Sequence, residues 1–95
     1  MGETDDFTWD DDKDALTFEQ RALRLVMAAQ MFDGRVRLER PSKNSMSDAL
    51  RVESMAEVDG RVLFCVWTWR GERRRIISLR PASRSERRAY REATR

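Results

Sequence analysis

Three features of the 95-residue sequence predict an α+β domain. Arg61 to Trp69 puts Leu63, Cys65, Trp67 and Trp69 on one face and Val62, Phe64 and Val66 on the other, so both faces are apolar, as in the central strand of a sheet. Ala15, Phe18, Ala22, Leu25, Ala29 and Phe32 follow a 3,4,3,4,3 spacing that gathers them on one face of a helix. Ser83-x-x-Glu86 has the reciprocal capping pattern that opens a helix. Strands grouped together, rather than alternating with helices, indicate a sheet with helices on one side or end.

The elements follow in order. Met1 to Asp6 reads as a disordered acidic start. Phe7-Thr8-Trp9 is a short strand, and Asp10-Asp11-Asp12 then suits a helix N-terminus, where unpaired N–H groups and the dipole favour negative charge. That helix extends for up to about 20 residues and stops near Asp33-Gly34. Thr17 and Gln20 also have capping-box spacing, which allows a break near Thr17 and so one long helix or two. Arg35 to Glu39 alternates as an exposed strand does, Pro41 to Ser45 reads as a loop, and Leu50 to Val58 is a weaker strand. Asp59-Gly60 is the pair that a tight hairpin turn requires. After the central strand, Arg70 to Arg73 turns the chain, Arg74 to Arg80 makes a strand around Ile76, Ile77 and Leu79, and Pro81 stops it. The last helix runs from Ser83 to about Glu92. The predicted order is an N-terminal strand, one long helix or two, a strand or loop, a three-stranded antiparallel run, and a C-terminal helix.

A chain of this length holds one domain with a modest core and is too short for separate cofactor and substrate domains. The net charge of +2 conceals a bipolar molecule: the first twenty residues carry eight acids and one lysine, the last twenty-six carry ten arginines and three glutamates. Such a chain neutralises itself or offers each end to a different partner. Arginine stays protonated and its planar fork fits phosphate or carboxylate, so the basic end points to RNA or an acidic protein, against the plainer reading of a solvated helix face. The absence of histidine excludes His-based triads and the usual histidine-containing zinc sites, and no metal or cofactor is expected. Cys65 has no partner for an internal disulfide and lies in an apolar run, as a buried residue in a reducing compartment does. No apolar run approaches the roughly 20 residues of a membrane span, and the acidic start is unlike a signal peptide, so a cytoplasmic protein without membrane contact is expected.

The pattern Arg75-x-Ile77-Ser78-x-Arg80-x-Ala82-x-x-x-Glu86-Arg87-x-x-Tyr90 closely resembles the C-terminal signature of the BrnT family of bacterial toxins. Phe7-x-Trp9-Asp10 with Lys13 is similar to the family's opening, and Val58 to Leu63 with Val66-x-Thr68 resembles its central hairpin. Arg51 stands where the family has an arginine before that hairpin. The likeness spans about Phe7 to Glu92 and implies a RelE-like fold, with residues 7–95 as a single BrnT-like domain. It further implies a ribosome-independent ribonuclease of a type II toxin-antitoxin system that inhibits translation. A BrnA-like ribbon-helix-helix antitoxin would neutralise it in an autoregulating complex, DNA being reached only through the antitoxin. The sequence departs from the family at Asn-x-x-Lys-His-Gly between the first two helices. Aligned without gaps from Trp9, those places hold Thr17, Gln20, Arg21 and Ala22, and a gapped alignment starting helix two at Leu16 to Gln20 also lacks the Lys-His pair. Leu50 and Ala56 replace a glutamate and a glycine. These changes motivate a second reading, a catalytically impaired or repurposed BrnT-like fold that acts as a protein- or RNA-binding inhibitor.

Cleavage of RNA by its own 2′-hydroxyl needs a base for that proton, cations around the phosphorane and an acid for the departing 5′-oxygen. Arg80, Arg75, Glu86, Tyr90 and Lys13 are the catalytic candidates, the arginines for phosphate and the other three for proton transfer. Arg51, Arg84, Arg88 and Arg91 are the RNA-binding candidates, and Arg95 continues the helical stripe. Without histidine nothing titrates near pH 7 by default, so a metal-independent endoribonuclease here works slowly or through strongly shifted groups. Each candidate also has a plainer role. Glu86 closes the capping box, Tyr90 fills the core with its hydroxyl at the rim, and Arg75 and Arg80 meet solvent or the acidic arm. Ser78 is a strand hydrogen-bonding residue, and Trp67 and Trp69 pack against the long helix or stack on bases.

Overall fold

The computed structural model describes residues 1–42 and 50–94. Its strands are β1 (Gly2–Glu3), β2 (Phe7–Trp9), β3 (Leu38–Pro41), β4 (Arg51–Val58), β5 (Arg61–Arg70) and β6 (Arg73–Pro81). They form one mixed sheet in the order β1-β2-β6-β5-β4-β3. β5 lies between β4 and β6 and pairs antiparallel with both, as its two apolar faces require. The hairpin at Asp59-Gly60 has positive φ at both residues, 52° and 81°, which matches the twist of the flanking strands.

The sheet is wider than the predicted run of three strands. β2 joins β6 in parallel, from Phe7 opposite Arg74 to Trp9 opposite Ile76, and β1 pairs antiparallel with β2. The acidic start expected to be disordered therefore contains a strand and a turn, closed by the Thr4 N–H donating to the Phe7 carbonyl at 2.8 Å. A side chain at Gly2 would collide with the Trp9 indole. On the other edge β3 begins later than the predicted Arg35 to Glu39 and includes Pro41, which an edge strand tolerates because one row of its N–H groups has no partner to serve. Of the expected loop from Pro41 to Ser45, residues 43–45 lie outside the described residues.

Of the two alternatives, one long helix or two, the chain takes two: α1 (Asp11–Arg21) and a 3-10 segment, Leu25–Phe32. The break falls at Ala22, not near Thr17: Ala22 takes the left-handed conformation, φ 55°, and ends α1. Periodicity misleads here because the turn resets the phase. Ala15, Phe18 and Ala22 are exposed, while Thr17 and Leu23 are buried in their place. In the 3-10 segment Leu25, Ala28 and Met31 are buried, three residues apart, as three residues per turn dictates. Asp14 on α1 accepts the Leu25 N–H at 2.7 Å and so caps the start of that segment from outside it.

The 3-10 segment covers one face of the sheet, where Leu23, Leu25, Ala28 and Met31 pack on Phe7, Leu63, Cys65, Trp67, Ile76 and Leu79. Burial pushes the Cys65 thiol far above its ordinary range. α2 (Arg84–Ala93) covers one end of the opposite face, where Tyr90 and Ala82 pack on Met55, Val62 and Phe64. The rest of that face carries the candidate site. Among the described residues no helix is long and apolar enough to cross a membrane.

Candidate nucleic-acid interface

A regular strand places residues five apart on opposite faces. β6 is not regular: Val66 pairs with Ser78 and Trp67 pairs with Ile76, so Ile77 is an extra residue without a partner on β5. The shift has two results. Ile76 and Leu79, three apart, enter the same core, and Arg75 and Arg80, five apart, come to the same open face. The register lays that face out in rows across β4, β5 and β6: Arg51, Thr68 and Arg75, then Glu53, Val66 and Ser78, then Met55, Phe64 and Arg80.

Two adjoining clefts run along these rows. The first, about 380 Å³, is lined by Asp10, Lys13, Arg51, Thr68, Arg70, Arg75, Ile76 and Ile77. Lys13 reaches it from the first turn of α1, which Asp10 caps by accepting the N–H groups of Asp12 at 2.8 Å and Lys13 at 3.2 Å. Those N–H groups, Lys13 foremost, hold the Asp10 carboxyl below the usual range. The second cleft, about 260 Å³, is lined by Ser42, Arg51, Glu53, Phe64, Val66, Ile77, Ser78 and Arg80. Arg51 and Ile77 belong to both clefts. Among the described residues, the combined groove sets five cations, Lys13, Arg51, Arg70, Arg75 and Arg80, against two carboxylates, Asp10 and Glu53.

Arg80 is fixed from both sides. Its two terminal nitrogens donate to the two oxygens of Glu86 at 2.7 and 2.9 Å, and its guanidinium lies 4.1 Å above the Phe64 ring. Glu86 also accepts the Ser83 N–H at 2.7 Å, while Ser83 Oγ accepts the Glu86 N–H at 3.2 Å, completing the predicted capping box. The Arg80 guanidinium pulls the Glu86 carboxyl down to about 2, so it is ionised at neutral pH with both oxygens occupied.

The family model described as the ribonuclease toxin BrnT of type II toxin-antitoxin systems matches residues 9–86. The chain belongs to the BrnT family. No protein of curated function matches it. BrnT membership makes this a ribonuclease-toxin family with an antitoxin as partner. The matched span contains Lys13, Arg51, Arg75, Arg80 and Glu86, all of which line the groove or hold a residue that does. Ala22, which ends α1 in the left-handed conformation, takes a backbone geometry that glycine adopts most readily. Arg21 donates to the Leu79 carbonyl at 3.2 Å, on β6 beyond the last residue that β2 pairs.

The remaining candidates lie elsewhere. Tyr90 is buried, its hydroxyl donates to the Val36 carbonyl at 3.2 Å, and it lines a separate cavity with Asp33, Arg35, Glu57 and Arg91. Arg84 and Arg88 are exposed on α2, Arg91 lies 3.7 Å from Glu57, and none of the three lines the groove. Arg95 is outside the described residues. Trp67 is a core residue at 3% exposure whose Nε1 donates to Ser54 Oγ at 2.8 Å. Trp69 is 53% exposed, and the Arg74 guanidinium sits over Phe32, Trp67 and Trp69 at 4.3, 4.7 and 4.6 Å. Sequence reasoning missed Arg70, Asp10 and the bulge. Arg70 was assigned to a turn, although it lies two residues from Thr68 and so on the same strand face.

Proposed function

We propose that this BrnT-family chain is a metal-independent endoribonuclease that takes single-stranded RNA across the groove on the open sheet face and inhibits translation in the cytoplasm. A BrnA-like ribbon-helix-helix antitoxin silences it by covering the groove and carries any contact with DNA. A RelE-like arrangement of sheet and helices belongs to the same reading. The observation that carries it is the bulge at Ile77, which gathers Arg75 and Arg80 with Arg51 and Lys13 on one face. Cations in a row along a groove follow a phosphate backbone, and their convergence in the first cleft suits a phosphorane, which carries more negative charge than the ground state.

The 2′-hydroxyl attacks the adjacent phosphorus, Asp10 takes its proton, and the Lys13 ammonium returns one to the departing 5′-oxygen. Arg75 and Arg70 hold the non-bridging oxygens. Glu86 orients Arg80, since its engaged oxygens and low pKa leave it nothing to do in proton transfer. Tyr90 braces α2 through Val36. A carboxylate held below its usual range is a weak base, so turnover is slow. Free protein incubated with single-stranded RNA in EDTA yields fragments ending in 2′,3′-cyclic phosphate and 5′-hydroxyl. RNA left intact by an excess of folded protein overturns catalysis, and tight binding without cleavage then assigns the fold to inhibition by binding.

A further inference from the structure

We infer that the second cleft is a base-recognition subsite that selects guanine, with Glu53 as the residue that reads it. The inference rests on the groove being an RNA site, and it adds which base that site prefers. The floor of this cleft has an apolar patch made by Val66 and Ile77, beside the Phe64 ring that the Arg80 guanidinium covers, and Arg51 and Arg80 are among its other lining residues. An apolar patch beside cations suits a flat ring whose phosphates lie to either side. The middle row sets Glu53 and Ser78 on opposite sides of Val66, two strand spacings apart, or about 9.6 Å between backbones. A ring resting on Val66 thus meets a carboxylate at one edge and a hydroxyl at the other.

Glu53 is out of place in a groove that only binds phosphate, because its charge repels the ligand. It is also held firmly: Arg40 Nε donates to its Oε1 at 2.7 Å, and its side chain is 13% exposed. An ionised carboxylate only accepts hydrogen bonds, so it favours a base edge with adjacent donors. Guanine offers a ring N–H beside an amino group. Adenine and cytosine place an amino group beside a ring acceptor, and uracil flanks its single N–H with two carbonyls, each of which faces the carboxylate with like polarity.

The test is equilibrium binding of four 2′-O-methyl pentanucleotides, uridine throughout except for guanine, adenine, cytosine or uracil at the centre, which lack the nucleophile and are not cut. Wild-type protein is expected to bind the guanine oligonucleotide at least roughly fivefold more tightly than the uracil one. Glu53→Gln should reduce that ratio below about twofold without weakening the all-uridine complex, since a repulsive charge is removed. Arg40→Ala, which takes away the ion pair but keeps the carboxylate, should retain the preference. Equal affinities for the four, no binding of any, or loss of the preference in Arg40→Ala as well as Glu53→Gln overturns the inference. Because the probes resist cleavage, a guanine preference in a protein that leaves ordinary RNA intact supports the subsite while removing the catalytic reading. Cleavage without any base preference does the reverse.

Discussion

Arg75 and Arg80 share one face of the sheet only because Ile77, between them, has no partner on β5. Their surroundings differ. Arg75 lines the first cleft beside Asp10 and Lys13, whereas Arg80 is locked to Glu86 and stacked on Phe64. Arg75→Ala is expected to lower RNA cleavage by about 10²–10³-fold with little change in thermal stability. Arg80→Ala should lower both, the stability by about 1–2 kcal/mol, because it uncovers Phe64 and leaves a half-buried carboxylate without its cation. Parallel cleavage assays and thermal melts check the contrast.

The Arg80–Glu86 pair makes stability depend on acid. The Glu86 carboxyl is lower in the folded chain, about 2, than its ordinary value of 4.5, so the folded state favours its ionised form. Its contribution is fully present above pH 4.5 and is lost as pH falls toward 2. Urea midpoints of wild type and Glu86→Gln should therefore differ at pH 7, draw together below pH 4.5 and converge only as pH approaches about 2. A gap that stays constant with pH would show that the pair is not the source.

Ala22 is a local misfit. A non-glycine residue in the left-handed region costs about 1–2 kcal/mol, and the greater freedom of glycine in the unfolded chain offsets part of any relief. Ala22→Gly is expected to stabilise the fold by about 0.5–1 kcal/mol, raising the melting temperature by about 3–6 °C. Calorimetry gives the answer directly.

Tyr90→Phe removes one hydroxyl that donates to Val36 and nothing from the groove. It should cost about 1 kcal/mol of stability and leave RNA cleavage within about twofold of wild type below the melting transition. A large loss of cleavage in a folded Tyr90→Phe protein would return the hydroxyl to the catalytic machinery.

Ser54 accepts the Trp67 indole N–H at 2.8 Å and donates to Glu39 at 2.5 Å, linking β5 through β4 to β3. Ser54→Ala leaves the indole N–H unpaired in the core, at an expected cost of about 1–3 kcal/mol. Denaturant unfolding followed by tryptophan fluorescence reports it.

The parts of this fold legible in the sequence are those set by short-range chemistry. The Asp59-Gly60 turn, the two apolar faces of β5 and the Ser83–Glu86 box each depend on residues within a few positions of one another. Helical periodicity failed where Ala22, an unremarkable residue, takes an unusual backbone conformation. β1 was hidden because its pairing partner, not its acidic composition, makes it a strand. In the groove, Lys13, Arg51, Arg75 and Arg80 were each singled out from the sequence, but their shared face was not. Arg-Ile-Ile-Ser-Leu-Arg reads equally well with either arginine facing the core until a bulge assigns the register.

The parallel pairing of β2 with β6 also sets an order of events in synthesis. Phe7 to Trp9 leave the ribosome 67 residues ahead of Arg74 to Ile76, and closing a loop that long costs entropy which only β6 repays. Until β6 emerges, Lys13 has no Arg75 across from it and β5 has one edge unpaired. A chain interrupted before Arg73 therefore has neither a complete sheet nor a complete groove. Whatever hazard the folded domain poses to its host is withheld until β6 has been made and has paired with both β2 and β5.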